Sequence, residues 1–393
     1  MKIAFFTHYP ELYGANRSLL NLIDGLSVYD DIELYAICPE EGEITKALKS
    51  RHIPLSIFPM EKWIYTKFEA NDNFFYNLKE NLKLTLRPFK HLYLNLILIK
   101  PLLLQLKEWD IDVIYTNSSV IPIGIIVARL LKIPHVWHLR EFCDLDYGFS
   151  FDWGLHIHRK IIQSSDACIT VSKAIQQHFF PDNNSQKVHL IYNGVASEIQ
   201  LKQFYQENEV RKAERHPYTF LIIGLIHPCK GQEEAIKAFS LVINNFPTTR
   251  LFIVGSGNQN YLNHLKKLTQ DLNLEENIDF LGYVSNPNLI YQKVDCVLMC
   301  SQNEAMGRVT VEGMSACKPV IGYDSGGTSE LVEHGKTGLL YSGSYQQLAS
   351  QMLFLLNNRS QANEIAQNAW ETAYKKFTTE AYAKSVYKVL SSL

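Results

Sequence analysis

The sequence predicts an α/β protein with two doubly wound parallel-sheet domains. Short runs rich in β-branched and aromatic residues alternate with helical stretches almost from end to end. Most runs are nearly continuous in apolar residues, as expected for strands buried on both faces of a sheet. Such alternation is typical of βαβ units with right-handed crossovers. The 393 residues are enough for two domains of ordinary size, each with its own core.

The predicted strands fall into two series. In chain order the first series is KIAFFTH, IELYAIC, LSIF, DVIYTN, HVWHL, ACITVS and VHLIYN. The second series is YTFLIIG, RLFIVG, NIDFLGY, CVLMCS, KPVIGY and GLLYS.

Between the two series, residues 193–216 are polar and charged and contain no predicted strand. We therefore predict an N-terminal domain over 1–195, a linker over 196–215 and a C-terminal domain over 216–375. The final segment, 376–393, is predicted to be a helix that can pack back on the N-terminal domain or stay with the C-terminal one. Ligands of such sheets bind beyond the carboxyl ends of the strands, so two facing domains would enclose a cleft.

Composition narrows the class of protein. Hydrophobic residues make up 46% of the chain, which favours a globular fold, and the net charge of -2 argues against a nucleic-acid partner. The seven cysteines are scattered, and the opening MKIAFFTHYP predicts a strand and a loop rather than a signal peptide. Both observations predict a reducing, cytoplasmic location. No apolar run approaches the ~20 residues that span a bilayer.

Residues 74–108 have a different composition. Basic residues alternate there with leucines and aromatics: Lys79, Lys83, Arg87, Lys90 and Lys100. A basic amphipathic helix of this kind can lie on an anionic membrane surface. Alternatively, the apolar face is core and the lysines face water. The pattern leaves both interpretations open.

Two glutamates flank a helix predicted to start near Met306. Glu304 precedes it, and Glu312 lies about two turns in, so the pair would be up to ~12 Å apart along the axis. Carboxylates that cleave a glycosidic bond lie about 5–9.5 Å apart. The wider spacing suits an elongated ligand with hydroxyls at both ends, and the free amides between them favour phosphate. The pattern favours a nucleotide sugar; alternatively, Glu304 supports the helix N-terminus and Glu312 is solvated.

The stretch EAMGRVTVEGMSACKPVIGYDSGGTSELV, followed by GKTGLL, resembles the signature of the family-4 retaining glycosyltransferases of the GT-B fold. That signature combines the glutamate pair, an apolar strand, a Gly-Gly loop and a Gly-x-x-Gly. Other stretches resemble the family in the same order: GANRSLLNLI, VWHLREF, SSDACITVSKAI, LIYNGV and GLIHPCKGQEEAIKAF. The resemblance covers most of the chain and implies two Rossmann-like domains facing a central cleft.

By this resemblance, Glu312 would bind the ribose of the donor, Glu304 would hold the donor sugar, and Lys230 would neutralise the departing diphosphate. A positioned cation is most effective where negative charge accumulates in a dry cleft. His138 would contact the sugar near the reacting carbon. The implied catalytic residues are His138, Lys230 and Glu304, and the implied donor-binding residues are Gly14, Gly224, Lys230, Glu304, Ala305, Met306, Gly307, Arg308 and Glu312.

Several of these residues also have ordinary structural interpretations. Lys230 can be a surface lysine in a turn, His138 a hydrogen-bonded structural histidine, and Gly14 a turn residue. Arg140 and Glu141 can form an ion pair, or they can orient an acceptor. The pair Gly326 and Gly327 can form an anion-binding nest or a turn before a helix.

One position departs from the family pattern. The family commonly has an arginine directly after the strand glycine, where this chain has Leu225. His227, Arg308 or an N-domain residue could compensate, or the site could rely on Lys230 and the helix amides.

Other site types are disfavoured. VGSGNQN lacks the third glycine of a dinucleotide fingerprint. Asp144 and Asp146 form an Asp-x-Asp in a polar loop of the wrong organisation for a metal clamp. We expect no essential metal and no cofactor besides the nucleotide-sugar substrate.

The resulting prediction is a retaining, metal-independent transferase that moves a sugar from a nucleotide-diphosphate sugar to an acceptor hydroxyl. The acceptor would be a glycan or a lipid-linked molecule, in cell-surface polysaccharide or glycolipid assembly. The predicted location is cytoplasmic, with peripheral contact to the inner face of the membrane through 74–108. Two alternatives remain: a catalytically silent GT-B subunit that supports a partner transferase, and a GT-B nucleotide-sugar epimerase.

Overall fold

The computed structural model describes residues 1–66, 74–182, 187–213 and 216–393. These residues form two compact units, each built on its own parallel sheet. The first unit comprises Met1–Tyr192 together with Tyr382–Leu393, and the second comprises Asn193–Ala381. All thirteen strands predicted from the sequence are present, which confirms the doubly wound α/β class.

The first unit contains a seven-stranded sheet with the order β3-β2-β1-β5-β6-β8-β9 and parallel pairing throughout. A separate two-stranded antiparallel sheet, β4-β7, was not predicted from the sequence. The strands are β1 (Lys2–Phe6), β2 (Glu33–Cys38), β3 (Leu55–Ile57), β4 (Ile64–Thr66), β5 (Val113–Thr116), β6 (His135–Leu139), β7 (Phe149–Phe151), β8 (Ala167–Thr170) and β9 (Val188–Leu190).

Helices cover this sheet, and a buried apolar cluster lies beneath them. They are α1 (Gly14–Leu26), α2 (Glu43–Lys49), α3 (Phe74–Glu108), α4 (Ile123–Leu131), α5 (Asp144–Tyr147), α6 (Gly154–Gln163) and α7 (Lys173–Phe179). The last helix of the chain, α16 (Thr379–Leu390), adds Tyr382, Val386 and Leu390 to the same cluster.

The second unit contains a six-stranded parallel sheet with the order β12-β11-β10-β13-β14-β15. Its strands are β10 (Thr219–Ile223), β11 (Arg250–Val254), β12 (Ile278–Gly282), β13 (Cys296–Met299), β14 (Val320–Tyr323) and β15 (Leu339–Tyr341). Its helices are α8 (Glu198–Ala213), α9 (Gln232–Ile243), α10 (Gln259–Asp271), α11 (Asn288–Tyr291), α12 (Arg308–Ser315), α13 (Thr328–Leu331), α14 (Tyr345–Asn357) and α15 (Arg359–Lys376).

The segment predicted as a linker, 196–215, is a helix of the second unit over most of its length. Leu201 of α8 is fully buried, and its carbonyl accepts a hydrogen bond from the Trp370 indole at 2.9 Å. Asn208 accepts a hydrogen bond from the buried Lys318 ammonium at 2.6 Å. Polar side chains therefore anchor α8, whereas its polar and charged composition predicts a linker. Residues 214 and 215 lie outside the described part of the chain.

Helix α3 covers the segment predicted to be amphipathic, and it contains Pro88 and Pro101. Within the ranges that the structure describes, no helix has both the length and the apolar character needed to cross a bilayer.

Candidate active site

The order of strands in the second unit brings two loops together at the carboxyl edge of its sheet. β10 and β13 are neighbours, and the chain runs from β10 outward to β11 on one side and later returns to β13 on the other. Such a switch point is the usual ligand position in an open α/β sheet. The loop after β10 ends at Lys230, and the loop after β13 contains Glu304.

These two residues form an ion pair, with Lys230 Nζ 2.8 Å from Glu304 Oε2. Both side chains are mostly buried, at 19% and 17% exposed respectively. Lys230 ends a short 3₁₀ turn, Pro228–Lys230, directly before α9. The structure thus brings together the cation and one of the carboxylates that the sequence singles out.

The second carboxylate, Glu312, is fixed by two contacts. The Nε of Arg308 lies 2.7 Å from Glu312 Oε1, and the hydroxyl of Tyr291 donates a hydrogen bond to Oε2 at 2.8 Å. Arg308 and Glu312 are one helical turn apart on α12, so their side chains meet on one face. Tyr291, on α11, was not predicted from the sequence.

Helix α12 begins at Arg308, two residues after the predicted start near Met306, so Glu312 lies little more than one turn into the helix and not about two. The reason is Gly307, which precedes the helix with a φ of +85°, a left-handed conformation that favours glycine. The loop from Glu304 to Met306 therefore ends in a sharp turn, and the first free amides of α12 follow it.

The glycine pair after β14 supports this loop. The amide of Gly327 donates a hydrogen bond to the Glu304 carbonyl at 2.8 Å. A Cβ on Gly327 would lie 2.5 Å from the Ala305 carbonyl oxygen, and a Cβ on Gly326 would lie 2.6 Å from that of Glu304. The two glycines pack directly against the loop, and Gly327 also precedes α13.

The structure clarifies the position of the missing arginine. The Leu225 carbonyl accepts a hydrogen bond from the buried Gln232 side chain at 2.8 Å, which ties this loop to α9. Burial and the Lys230 charge lower the pKa of His227, whose Nδ1 lies 2.9 Å from Cys229 Sγ. A neutral His227 does not supply a second cation near pH 7. Gly224 lies at the end of β10, with open space beside its Cα.

His138 lies inside the first unit, as the second-to-last residue of β6. It is completely buried, and Nδ1 lies 2.5 Å from the Tyr115 hydroxyl. Burial, together with the charge of Arg140, lowers the pKa of His138 far below its ordinary value, so the ring is neutral. Its Nε2 is buried and has no hydrogen-bond partner among the residues that the structure describes.

Arg140 and Glu141 each form hydrogen bonds with other residues of the first unit. Arg140 donates to the Asn117 side-chain oxygen at 2.5 Å and to the Tyr382 hydroxyl at 2.8 Å. Glu141 Oε1 accepts from the Ser118 hydroxyl at 2.5 Å and from the Ser119 amide at 2.8 Å. Burial raises the pKa of Glu141, and these hydrogen bonds oppose that effect. The charge of Arg140 also lowers the pKa of Glu141, and the pairing of the two residues stays a prediction.

Gly14 is the first residue of α1, and a Cβ added there would meet nothing within 4 Å. In the part of the chain that the structure describes, no group of three or more His, Cys, Asp or Glu side chains is arranged to hold a metal ion. Asp144 and Asp146 lie in the short helix α5, where Asp146 accepts a hydrogen bond from the Phe142 amide at 3.1 Å.

Comparison with known proteins gives matches along the chain. The family model described as Glycosyltransferase Family 4 matches residues 13–198, and the one described as Glycosyl transferases group 1 matches residues 205–372. An uncharacterized glycosyltransferase of Methanocaldococcus jannaschii, MJ1178, is 30% identical over 278 residues, which are 69% of this chain and 72% of that protein.

Two further proteins are similar over different extents. N-acetyl-alpha-D-glucosaminyl L-malate synthase of Bacillus anthracis is 26% identical over 226 residues, covering 56% of this chain and 58% of that protein. The crystal structure of Anabaena HepE in complex with UDP has a TM-score of 0.76 at 24% identity and covers 100% of both chains. This last similarity is one of fold.

Proposed function

The chain belongs to the family of glycosyl transferases group 1 and has the GT-B fold, and from this premise we propose that it transfers a sugar from a nucleotide-diphosphate sugar to an acceptor hydroxyl with retention of configuration. The observation that carries the proposal is the convergence of Lys230, Glu304 and the α12 N-terminus at the switch point of the second sheet. A cation and free helix amides suit a diphosphate, and carboxylates accept hydrogen bonds from hydroxyls.

In the proposed reaction, the bond from the anomeric carbon to the diphosphate oxygen breaks, and its electron pair leaves with the diphosphate. The acceptor oxygen bonds to the same face of that carbon, and its proton passes to a phosphate oxygen. Lys230 gives up its contact with Glu304 and contacts the departing diphosphate. Glu304 then accepts hydrogen bonds from hydroxyls of the sugar. The residues thus act by positioning and by stabilising charge, and no metal takes part.

In the first unit, we assign His138 the role of a neutral hydrogen-bonding group to substrate, through its buried and unpartnered Nε2. We assign Arg140 and Glu141 to the acceptor side. Their hydrogen bonds to Asn117, Ser118 and Ser119 hold both at the carboxyl edge of β5 and β6, where ligands of such sheets bind.

We also propose that α3 contacts an anionic membrane. Seven large apolar side chains on α3 are 49–64% exposed: Leu82, Leu86, Phe89, Tyr93, Leu96, Ile97 and Leu104. At ~100° per residue they fall within about 100° of the helix circumference. The buried His91, Asn95, Leu102 and Leu106 lie on the opposite side. The exposed Lys79, Lys83, Lys90 and Lys100 lie within or beside the apolar stripe, which suits anionic headgroups.

Vesicle sedimentation tests this contact. We expect the protein to pellet with vesicles of phosphatidylglycerol and phosphatidylcholine but not of phosphatidylcholine alone. Leu86→Glu combined with Tyr93→Glu should abolish pelleting, whereas Val28→Glu, at a site that is 75% exposed elsewhere on the first unit, should not. Equal pelleting of both variants contradicts the proposal. It is also contradicted if the wild type is a dimer and the α3 variant is a monomer, because the apolar face then binds a second copy of the chain.

The location proposed is cytoplasmic, with an acceptor held at the membrane by a lipid, in polysaccharide or glycolipid assembly. All seven cysteines lie in the described ranges and are free thiols, which suits a reducing compartment.

The transfer reaction is tested by incubating the protein with sugars of uridine, guanosine and adenosine diphosphate and measuring nucleotide release, with and without membrane extract and with EDTA. We expect release with one of them, unchanged by EDTA and lost in Lys230→Ala and Glu304→Gln. The matched controls are Lys336→Ala and Glu333→Gln, which alter an exposed ion pair of the same unit.

One observation favours a second candidate, a catalytically silent GT-B subunit: Leu225 stands where the family commonly has an arginine. That alternative predicts nucleotide-sugar binding without release under every acceptor condition, and so the same experiment separates the two.

A further inference from the structure

We propose that Tyr291 is a positioning residue that fixes the Glu312 carboxylate to receive a vicinal diol, and that it thereby sets the preference for a ribonucleotide over a 2′-deoxyribonucleotide donor. This inference rests on the proposed function, in which Glu312 binds ribose.

The Glu312 carboxylate has more acceptor positions than Arg308 and Tyr291 fill. An ionised carboxylate has about four lone-pair sites, two on each oxygen. Arg308 occupies one site on Oε1, and Tyr291 occupies one site on Oε2. One site then remains on each oxygen. Two sites on two adjacent oxygens match the two neighbouring hydroxyls of a ribose.

The two anchors also fix the plane of the carboxylate. The terminal torsion of a glutamate is broad, so a single contact leaves the carboxylate able to rotate. Arg308 holds Oε1 from the same helix, one turn away. Tyr291 holds Oε2 from a different element, α11, and its ring is 2% exposed, so its hydroxyl has a fixed position. Two contacts from two elements define an orientation that one contact does not.

Loss of the Tyr291 hydroxyl should therefore weaken the binding of a ribonucleotide more than the binding of its 2′-deoxy form. In Tyr291→Phe, the ring remains in the core, but Oε2 turns away or takes up water. A ribonucleoside diphosphate then loses part of a paired contact, whereas a 2′-deoxy ligand, which never used both sites, loses little.

Calorimetric titration tests this with UDP, GDP and ADP and the 2′-deoxy form of each. For the base that binds, we expect wild type to prefer the ribonucleotide by about tenfold, the effect of one hydrogen bond to a charged group. In Tyr291→Phe, the preference should fall to about twofold, mainly because the ribonucleotide binds more weakly. The matched control is Tyr374→Phe, which removes a hydroxyl that donates a hydrogen bond to Glu198 at 3.3 Å elsewhere in the same unit. This variant should keep the preference of the wild type.

The outcomes separate this inference from the proposed function. If wild type binds none of the nucleotides, the proposed function fails. If wild type binds and Tyr291→Phe weakens both forms equally, Tyr291 has only a structural role and the inference fails alone. An undiminished preference in Tyr291→Phe overturns it as well. Arg308→Met, which removes the other anchor, should also reduce the preference and provides a second variant if Tyr291→Phe is unstable.

Discussion

Replacing Gly327 by alanine should displace the loop that carries Glu304 while leaving the sheet intact. The new Cβ would lie 2.5 Å from both the Ala305 oxygen and the Met306 Cα, which is 0.9 Å less than the 3.4 Å of ordinary contact. Both obstructing atoms are backbone, so no side chain can rotate away. The loop must move by about 0.9 Å, and a misplacement of this size can reduce the rate about a hundredfold.

Overpacking of this kind also lowers the free energy of unfolding, by about 1–3 kcal/mol. The control is therefore Gly335→Ala, where φ is +76° and the space around the Cβ is open. Left-handed strain there should lower the free energy of unfolding by about 1–2 kcal/mol without moving the loop. Urea unfolding should show a similar loss of stability in the two variants. Nucleotide release should decrease in Gly327→Ala alone. Equal activity in both would refute the reasoning.

Three further changes have defined outcomes. Burial lowers the pKa of His135 to about 3, so below about pH 6.5 the unfolded state binds a proton that the folded state does not, and the free energy of unfolding should fall by up to about 1.4 kcal/mol per pH unit. Urea titrations near pH 7 and 5 should show a smaller decrease in His135→Gln, and an unchanged decrease would contradict this. Asn208→Ala removes a hydrogen bond from the buried Lys318 and should lower the free energy of unfolding by about 1–3 kcal/mol in urea titration, which no loosely attached linker would do. Leu225→Arg supplies a second cation and should tighten nucleoside-diphosphate binding about tenfold by calorimetry relative to Leu225→Met; weaker binding would show that the loop has no room for it.

The sequence predicted the sheets well because buried parallel strands are long apolar runs. It did not predict β4 and β7, which pair with each other in a separate antiparallel sheet, outside the alternation of parallel strands and helices that predicted the others. It mistook α8 for a linker, because the contacts that hold this helix include an indole, an amide and an ammonium rather than an apolar stripe alone. Hydrophobic pattern is a poor guide to an element that polar side chains anchor.

For the candidate site, the sequence indicated Lys230, Glu304 and Glu312 but not how they are held. The Lys230–Glu304 pair depends on β10 and β13 being neighbours, and strand order cannot be read from the chain. The start of α12 depends on the backbone angle of Gly307. Tyr291 lies on a four-residue helix with no motif around it, so only its contact with Glu312 reveals it.

The two acidic residues share one arrangement: each is in contact with a cation from a neighbouring position, Glu304 with Lys230 and Glu312 with Arg308. A carboxylate held by a cation is suited to accept further hydrogen bonds, and it is poorly suited to protonate a leaving group. In the proposed complex, Lys230 leaves Glu304 to contact the diphosphate beside the first amides of α12, while Arg308 stays with Glu312. This geometry therefore favours the binding of a ligand that carries hydroxyls and two negative charges. It does not favour acid–base cleavage by a pair of carboxylates.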